Sequence, residues 1–599
     1  MFPGTPPFTT RPEIVGDFGV CTSTHWIASA VGMGVLERGG NAFDAAVAMG
    51  FVLQVIEPHL NGPAGDMPAV FRAAGGPVQV LCGQGTAPAG ATVAAYRARG
   101  LDLVPGSGLL ATVIPGAFDG WMVLLRDHGT LDVGQVLAPA IHYARNGHPL
   151  LGGAAKVIEG MAPFFAAHWP GSAALWTPGL RVPAPGARLR NPVLADTWER
   201  VAAEAAAAPG GREARIEAAR ACFRTGFIAQ AIHDFVATTE AMDATGRPNR
   251  GVLTGDDLAG WEASYETPVT ADFHGWTVHK PGPWTQGPAF LQALTLLRGT
   301  DLGAMDPHGP DFVHTVIEAI KLAFADREAH YGDPAFADVP LDTLLSEPYA
   351  AARRALIGPE ASHETRPGRP PGHEAAAEAA IQRAAAGANA GAPGAGEPTM
   401  AHLTEKRGDT VHLDVIDRWG NMISATPSGG WLQSSPVIPA LGFALNSRAQ
   451  MFWLDEGRPS TLRPGARPRT TLTPSLALRG DEAMVFGTPG GDQQDQWQLV
   501  FFLRHVLHGL NLQEAIDAPL FHSLHMTSSF HPRTCRPGAL MIEDAAGPAV
   551  IDALRARGHE VDAAAPWSVG RLTAAAKGAD GWLRAAATPR MMQAYAVGR

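Results

Sequence analysis

Cysteine is scarce in this chain. The 599 residues hold four, Cys21, Cys82, Cys222 and Cys535, with neither metal-ligand spacing nor the density of a disulfide framework. A reducing cytoplasm is the compartment this implies. Charge is thin, at 17% of residues, and leans negative with a net −11, so no basic footprint points to nucleic acid. Apolar runs stay short. Ala45 to Ile56, among the longest, is well below the length that spans a bilayer. The opening MFPGTPPFTTRPEIVGDFGV lacks the positive stretch and apolar core of a secretory signal, so neither membrane nor export is expected.

What is present suits a large folded core. Hydrophobic residues make up 46% of the chain, and helix-like and strand-like segments alternate without a repeat. Residues 26–58 read as two helices. The first stops at Gly39-Gly40 and Asn41 caps the second, whose Ala-rich surface is apolar nearly all round. Residues 117–129, 133–147 and 311–328 also read as helices. In the last of these Val313, Val316, Ile317, Ile320 and Phe324 form one stripe. Residues 358–399 collapse to Gly, Pro, Ala, Glu and Arg, which predicts a flexible connector with no packed element. At 410 the text changes at once to TVHLDVID. Val411, Leu413 and Val415 alternate with His412 and Asp414, a strand with one face apolar.

A threonine at the junction of soft linker and strand raises a chemical possibility. Its hydroxyl is a poor nucleophile unless a base removes the proton. If the chain were cut before Thr410, the new α-amino group, with a pKa of about 7.7–8.0, would be that base. An oxyanion hole is also needed, and Gly490 and Gly491 in GTPGGDQQ (487–494) offer amides without an obstructing Cβ ahead of a helix. Arg407-Gly408-Asp409 spells the adhesion tripeptide, but three common residues in a chain with 69 glycines occur together by chance. His314 and Glu318 lie one helical turn apart with no third ligand near them in sequence, which predicts a hydrogen-bonded pair rather than a metal site. The mechanism calls for no metal or organic cofactor.

Several stretches together resemble the γ-glutamyltransferase superfamily of N-terminal-nucleophile hydrolases along nearly the whole chain. They include ERGGNAFDAAVA (37–48), VIPGAFDGW (113–121), GTLDVGQVLAPAIHYARNG (129–147), ADREAHYGDP (325–334), TVHLDVIDRWGN (410–421), RPRTTLTPS (467–475) and GTPGG (487–491). The resemblance implies an α+β fold, a four-layer αββα sandwich built from one precursor. It implies self-cleavage of the Asp409–Thr410 bond into a large subunit, 1–409, and a small catalytic one, 410–599, associated as an αβ heterodimer or a pair of them. By position it makes Thr410 the nucleophile, Ser428 the second hydroxyl, Gly490 and Gly491 the oxyanion hole, and Thr470 and Thr471 the paired substrate-binding hydroxyls.

The pattern breaks where a γ-glutamyl head group would be held. The family's arginine falls at Gln84, its aspartate at Gln450 or Met451, and an asparagine after the second hydroxyl at Gly430. Each buried charge of such a substrate needs an opposite partner, so the head-group grip is lost. Arg448 borders the expected pocket and suits a carboxylate, while Arg458, Arg463, Arg467 and Arg469 crowd the segment after it. His412 points along the nucleophile's face. Asp66, His59 and Trp431 are compatible with pocket or structural roles. The chain resembles the side branch containing oxamate-amidohydrolase-like and cephalosporin-acylase-like enzymes, which also includes carbon–carbon hydrolases of alkylproline natural-product pathways. The expected substrate is thus a small acidic amide or acyl compound. A carbon–carbon hydrolase of an alkylproline pathway is the first alternative, and a true γ-glutamyltransferase and an unprocessed binding protein are the others.

Overall fold

The structure, a computed structural model, describes residues 8–387 and 410–599. Asp409, the Arg407-Gly408-Asp409 tripeptide and the stretch 388–399 of the expected connector lie outside the described residues.

Two seven-stranded sheets form the centre. One runs, edge to edge, through Ile14–Gly16, Leu583–Ala587, Thr573–Lys577, Glu482–Gly487, Ser475–Arg479, Trp276–Lys280 and Val269–Phe273. The other runs through Tyr595–Gly598, Gly19–Ser23, Leu413–Asp417, Met422–Ala425, Met67–Arg72, Val78–Gly83 and Ser264–Glu266. The pairings in both are antiparallel. Both sheets therefore mix strands from before and after Thr410. The strand Leu413–Asp417 sits centrally, with Leu413 opposite Ser23 on one side and Ala425 on the other.

The period-two alternation decides the layers. Val411, Leu413 and Val415 face a helical layer that includes Trp26–Glu37, Ala42–Ile56, Ala117–His128 and Val133–Asn146. Ile416 faces the other sheet, meeting Val20, Val70, Leu476, Val485 and Ala575. A second helical layer, with Gly287–Leu297, Pro310–His330 and Gln494–His508, packs on the outer face of the first sheet. The result is a four-layer αββα sandwich. Asn41 caps the helix Ala42–Ile56 in a capping box with Asp44, and all 15 residues of that helix are buried.

One stretch differs from the sequence expectation. Residues 358–387 are packed rather than a loose connector. Glu374–Gly387 is a helix with Ala377 and Ala380 buried, the Gly368 amide donates to Asp326, and Arg366 pairs with Glu318 at 3.0 Å. The physical reason lies in the alanines. They are the best helix formers, and a small side chain lets a helix pack closely, so low complexity did not mean low structure. Among the described residues no helix is long and apolar enough to cross a membrane.

Candidate functional site

Three backbone segments meet at the end of the central strand. Thr410 pairs with Ser428 in an isolated antiparallel bridge, and Ser428 pairs in turn with Asp66. The Ser428 amide donates to the Asp66 carbonyl at 3.0 Å, and the Asp66 amide returns a bond to Ser428 at 2.8 Å. This brings Thr410 Oγ1 to 3.2 Å from Ser428 Oγ, both buried. Glycine permits the approach. A Cβ on Gly65 would lie 2.0 Å from the Ser428 carbonyl oxygen, and one on Gly62 would lie 2.2 Å from that of Gly430. Gly430, at φ +68, is thus a backbone fit that no side chain could replace without strain.

His412 does not reach this junction with a free nitrogen. Its Nδ1 is 2.9 Å from Thr426 Oγ1 and its Nε2 is 2.9 Å from Asp414, whose other oxygen accepts from Thr22 and Thr573. Fully buried, it ties the two sheets together, and both ring nitrogens are already engaged. The ring lies against Gly487, where a Cβ would meet Cε1 at 2.2 Å. That contact sets the start of the GTPGG turn beside the strand that follows Thr410.

In that turn Gly490 has φ +125 and Gly491 φ +57, and a Cβ on Gly490 would meet the Trp497 ring at 2.2 Å. Among the described residues neither amide has a hydrogen-bond acceptor. The helix Gln494–His508 begins just beyond them. Two unpartnered N–H groups near a helix N-terminus suit a developing negative charge.

Around this centre the expected binding residues fall into two groups. Arg448 forms a bidentate ion pair with Asp66, Nε to Oδ2 at 2.6 Å and Nη2 to Oδ1 at 3.1 Å, both side chains 1% exposed. Its guanidinium also lies over the Trp431 ring, 5.2 Å from the centroid. Burial pushes the Asp66 carboxyl above its ordinary value, against the opposing pull of Arg448 and Gln84. Arg448 is therefore engaged inside the protein rather than poised alone for a substrate carboxylate. Gln450 donates to the Ser447 carbonyl at 3.0 Å and accepts from the His531 amide at 3.3 Å, holding its own loop. Thr470 Oγ1 accepts from the Leu472 amide at 3.3 Å. Two polar atoms are left over: Thr471 Oγ1 and Gln84 Oε1 are buried with no partner. Trp431 donates to the Leu60 carbonyl at 2.8 Å and packs with Met451 and Phe530.

The fold also supplies what the sequence did not reveal beside His314 and Glu318. His559 joins them, with the three ligand atoms within 4.8 Å of one another. By donor count the trio could hold a cation. However, His314 Nδ1 already bonds His559 Nε2 at 2.9 Å, His314 Nε2 bonds the Gly358 carbonyl at 2.8 Å, and Glu318 is flanked by Lys321 and Arg366. Two cations already engage the one carboxylate, which disfavours a third positive charge there, and of the ring nitrogens only His559 Nδ1 is left without a partner among the described residues.

Comparison with known proteins agrees with this geometry. The family model described as Gamma-glutamyltranspeptidase matches residues 28–598. An Acylase ACY 1 proenzyme of Pseudomonas sp. (strain SE83) is 31% identical over 96% of this chain and 92% of its own length. An Oxamate amidohydrolase proenzyme of Klebsiella pneumoniae is 30% identical over 96% of this chain and 98% of its own. Among solved structures, one called LmbA2991HD superposes with a TM-score of 0.93 at 55% identity, covering 99% of this chain and all of that one. A cephalosporin acylase from Bacillus halodurans gives 0.81 at 27% identity, covering 100% and 99%. Fold and relatives thus define an enzyme of the N-terminal-nucleophile hydrolase class. Within it, the chain belongs to the γ-glutamyltranspeptidase family.

Proposed function

We propose that this protein is a self-processing hydrolase that uses Thr410 as its nucleophile on a small acyl substrate carrying an anionic group. The observation that carries the reading is the Thr410–Ser428 hydroxyl pair at 3.2 Å, set at the end of a central strand. Cleavage of the Asp409–Thr410 bond frees the Thr410 α-amine, which takes the proton from Oγ1 as the oxygen attacks the substrate carbonyl. The tetrahedral oxyanion rests on the Gly490 and Gly491 amides, and Ser428 Oγ donates to the reacting oxygen. Collapse breaks the bond to the leaving group, which departs with the proton from the α-ammonium. Water, deprotonated by the same amine, then attacks the ester carbonyl, releasing the acid and restoring Oγ1–H. The two subunits remain together as an αβ heterodimer, since both sheets need strands from each.

The relatives support the reading by name, two being proenzymes and one an amidohydrolase. With Gln84 at the place of the family's arginine and Gln450 or Met451 at that of its aspartate, γ-glutamyl compounds are poor substrates. The test is a pair of variants. Thr410→Ala abolishes both chain cleavage and amide hydrolysis, while Thr410→Ser keeps part of each. Cleavage and turnover that persist in Thr410→Ala, or efficient turnover of γ-glutamyl-p-nitroanilide by the parent, contradict the reading.

A further inference from the structure

The turn proposed as the oxyanion hole is built from two glycines, which hold no shape by themselves. Gly490 at φ +125 and Gly491 at φ +57 lack the Cβ that restricts other residues, so the direction of their amides depends on what anchors the chain on either side. Upstream, the His412 ring lies against Gly487. The downstream anchor comes from a distant part of the chain. The Gln286 side-chain amide donates to the Gly491 carbonyl at 3.3 Å, and its oxygen accepts from Arg327 Nη1 at 2.8 Å. The same Nη1 donates to Asp492 Oδ1 at 2.6 Å. Ser529 donates to both oxygens of Asp492, from its hydroxyl at 2.6 Å and from its backbone amide at 2.8 Å. Gln286 and Arg327 are both fully buried.

Gln286 sits where a side chain ordinarily serves a helix. It is the N-cap residue of Gly287–Leu297, a position that favours Ser, Thr, Asp and Asn, yet its side chain caps nothing. The Thr285 hydroxyl accepts from the Gly287 amide at 2.9 Å instead. The same segment reaches one of the expected substrate-binding threonines. The Trp284 carbonyl accepts from the Thr470 amide at 2.9 Å, and Thr285 pairs with Thr470 in a parallel bridge. Three consecutive residues thus fix Thr470 and the Gly491 carbonyl relative to one another. Gln286 and Arg327 precede Thr410, while Thr470 and Gly491 follow it, so these contacts cross the proposed subunit boundary.

We propose that Gln286, oriented by Arg327, is a positioning residue that sets the direction of the Gly490 and Gly491 amides for the hydrolytic reaction. The inference rests on the hydrolase reading above and adds to it a residue that acts through the turn rather than on the substrate. The bond to the Gly491 carbonyl fixes the peptide plane that follows Gly491, and the Asp492 side chain, gripped by Arg327 and Ser529, fixes the residue after it. Together they remove the freedom that two glycines would otherwise keep. Amides aimed before the reaction stabilise an oxyanion without reorganising, and a misplacement of about 1 Å costs about 10²-fold. The turn meets its full charge only in the tetrahedral state, so the loss of Gln286 appears in kcat and not in KM.

The test is steady-state hydrolysis of p-nitrophenyl acetate by the purified full-length protein and its variants. Gln286→Met keeps the length of the side chain and removes its donor. Its kcat is expected to fall about 30-fold with KM within about twofold of the parent. Arg327→Lys loses the fork that joins Gln286 to Asp492 and lowers kcat about tenfold. The double variant is no slower than Gln286→Met, because both substitutions break one chain of contacts. A Gln286→Met protein within about threefold of the parent, a loss confined to KM, or a double variant slowed by the product of the single losses overturns the inference. Should Arg327→Lys fail to fold, the division of the Gln286→Met effect between kcat and KM decides alone. Thr410→Ala separates the two proposals. Release of p-nitrophenolate that Thr410→Ala abolishes and Gln286→Met leaves intact sinks the positioning role and keeps the hydrolase reading. Release that survives in Thr410→Ala, or none from the parent, overturns the hydrolase reading and the inference with it.

Discussion

Removing either half of the Asp66–Arg448 pair costs more than removing both. The two side chains are 1% exposed and joined by bonds of 2.6 and 3.1 Å, so a single truncation strands a charge away from water. Breaking a pair of this kind costs about 3–5 kcal/mol, while replacing both partners is close to neutral. For a chain of 599 residues the entropy of unfolding makes about 4 kcal/mol worth roughly 3 °C in Tm. Arg448→Met and Asp66→Asn are each expected to fall by about that much, and the double variant by about 1 °C. The singles differ in their response to pH. Arg448→Met leaves a carboxyl that burial already pushes upward. Stability from a raised carboxyl is fully present below its unfolded value, about 3.9, and is lost as pH rises through the folded one. Arg448→Met therefore loses ground to the parent between pH 5 and pH 8. Asp66→Asn has no carboxyl to titrate at this position and shows no such slope. Scanning calorimetry of the four proteins at both pH values measures this. Additive single losses, or a pH-independent Arg448→Met, would refute the buried-pair argument.

Three further outcomes follow from the geometry. Gly490→Ala forces a Cβ to 2.2 Å from Trp497 at φ +125, and displacement of the amide proposed as an oxyanion donor lowers kcat about 10²–10³-fold in steady-state assays. Thr471→Val replaces a buried, unpartnered hydroxyl with a methyl group, so Tm holds or rises while KM increases about tenfold if the hydroxyl meets substrate. A lower Tm with unchanged KM would make Thr471 a structural residue. Burial raises Glu57 from 4.5 to about 7 against the opposing bond from Thr24 and the charge of Arg571, so its stability contribution is present below 4.5 and lost as pH rises toward 7. Glu57→Gln accordingly melts higher than the parent at pH 8, by an amount corresponding to at most about 3 kcal/mol, and equally at pH 5.

Local pattern carried much of this into view from the sequence. The alternation after Thr410 fixed which residues face helices and which face the other sheet, because side-chain period is a property of the strand itself. Asn41 announced its cap by type and position. Asp66 and Arg448 are 382 residues apart, and no spacing rule marks partners that only the folded chain brings together. His559 joins His314 across 245 residues for the same reason. Composition misled at Glu374–Gly387, where alanine-rich text forms a packed helix. Arginine crowding around residues 458–469 was visible, but which guanidiniums are paired was not. Arg467 is claimed by Glu266 and Asp333, while Arg469 keeps one open donor beside Arg533, a residue from a distant loop.

Mass spectrometry of the intact, purified protein tests the central claim most directly. Two chains, the smaller beginning at Thr410 with a free α-amine, are the predicted result. A single uncut chain that nevertheless hydrolyses its substrate, or a cut at any other bond, contradicts it.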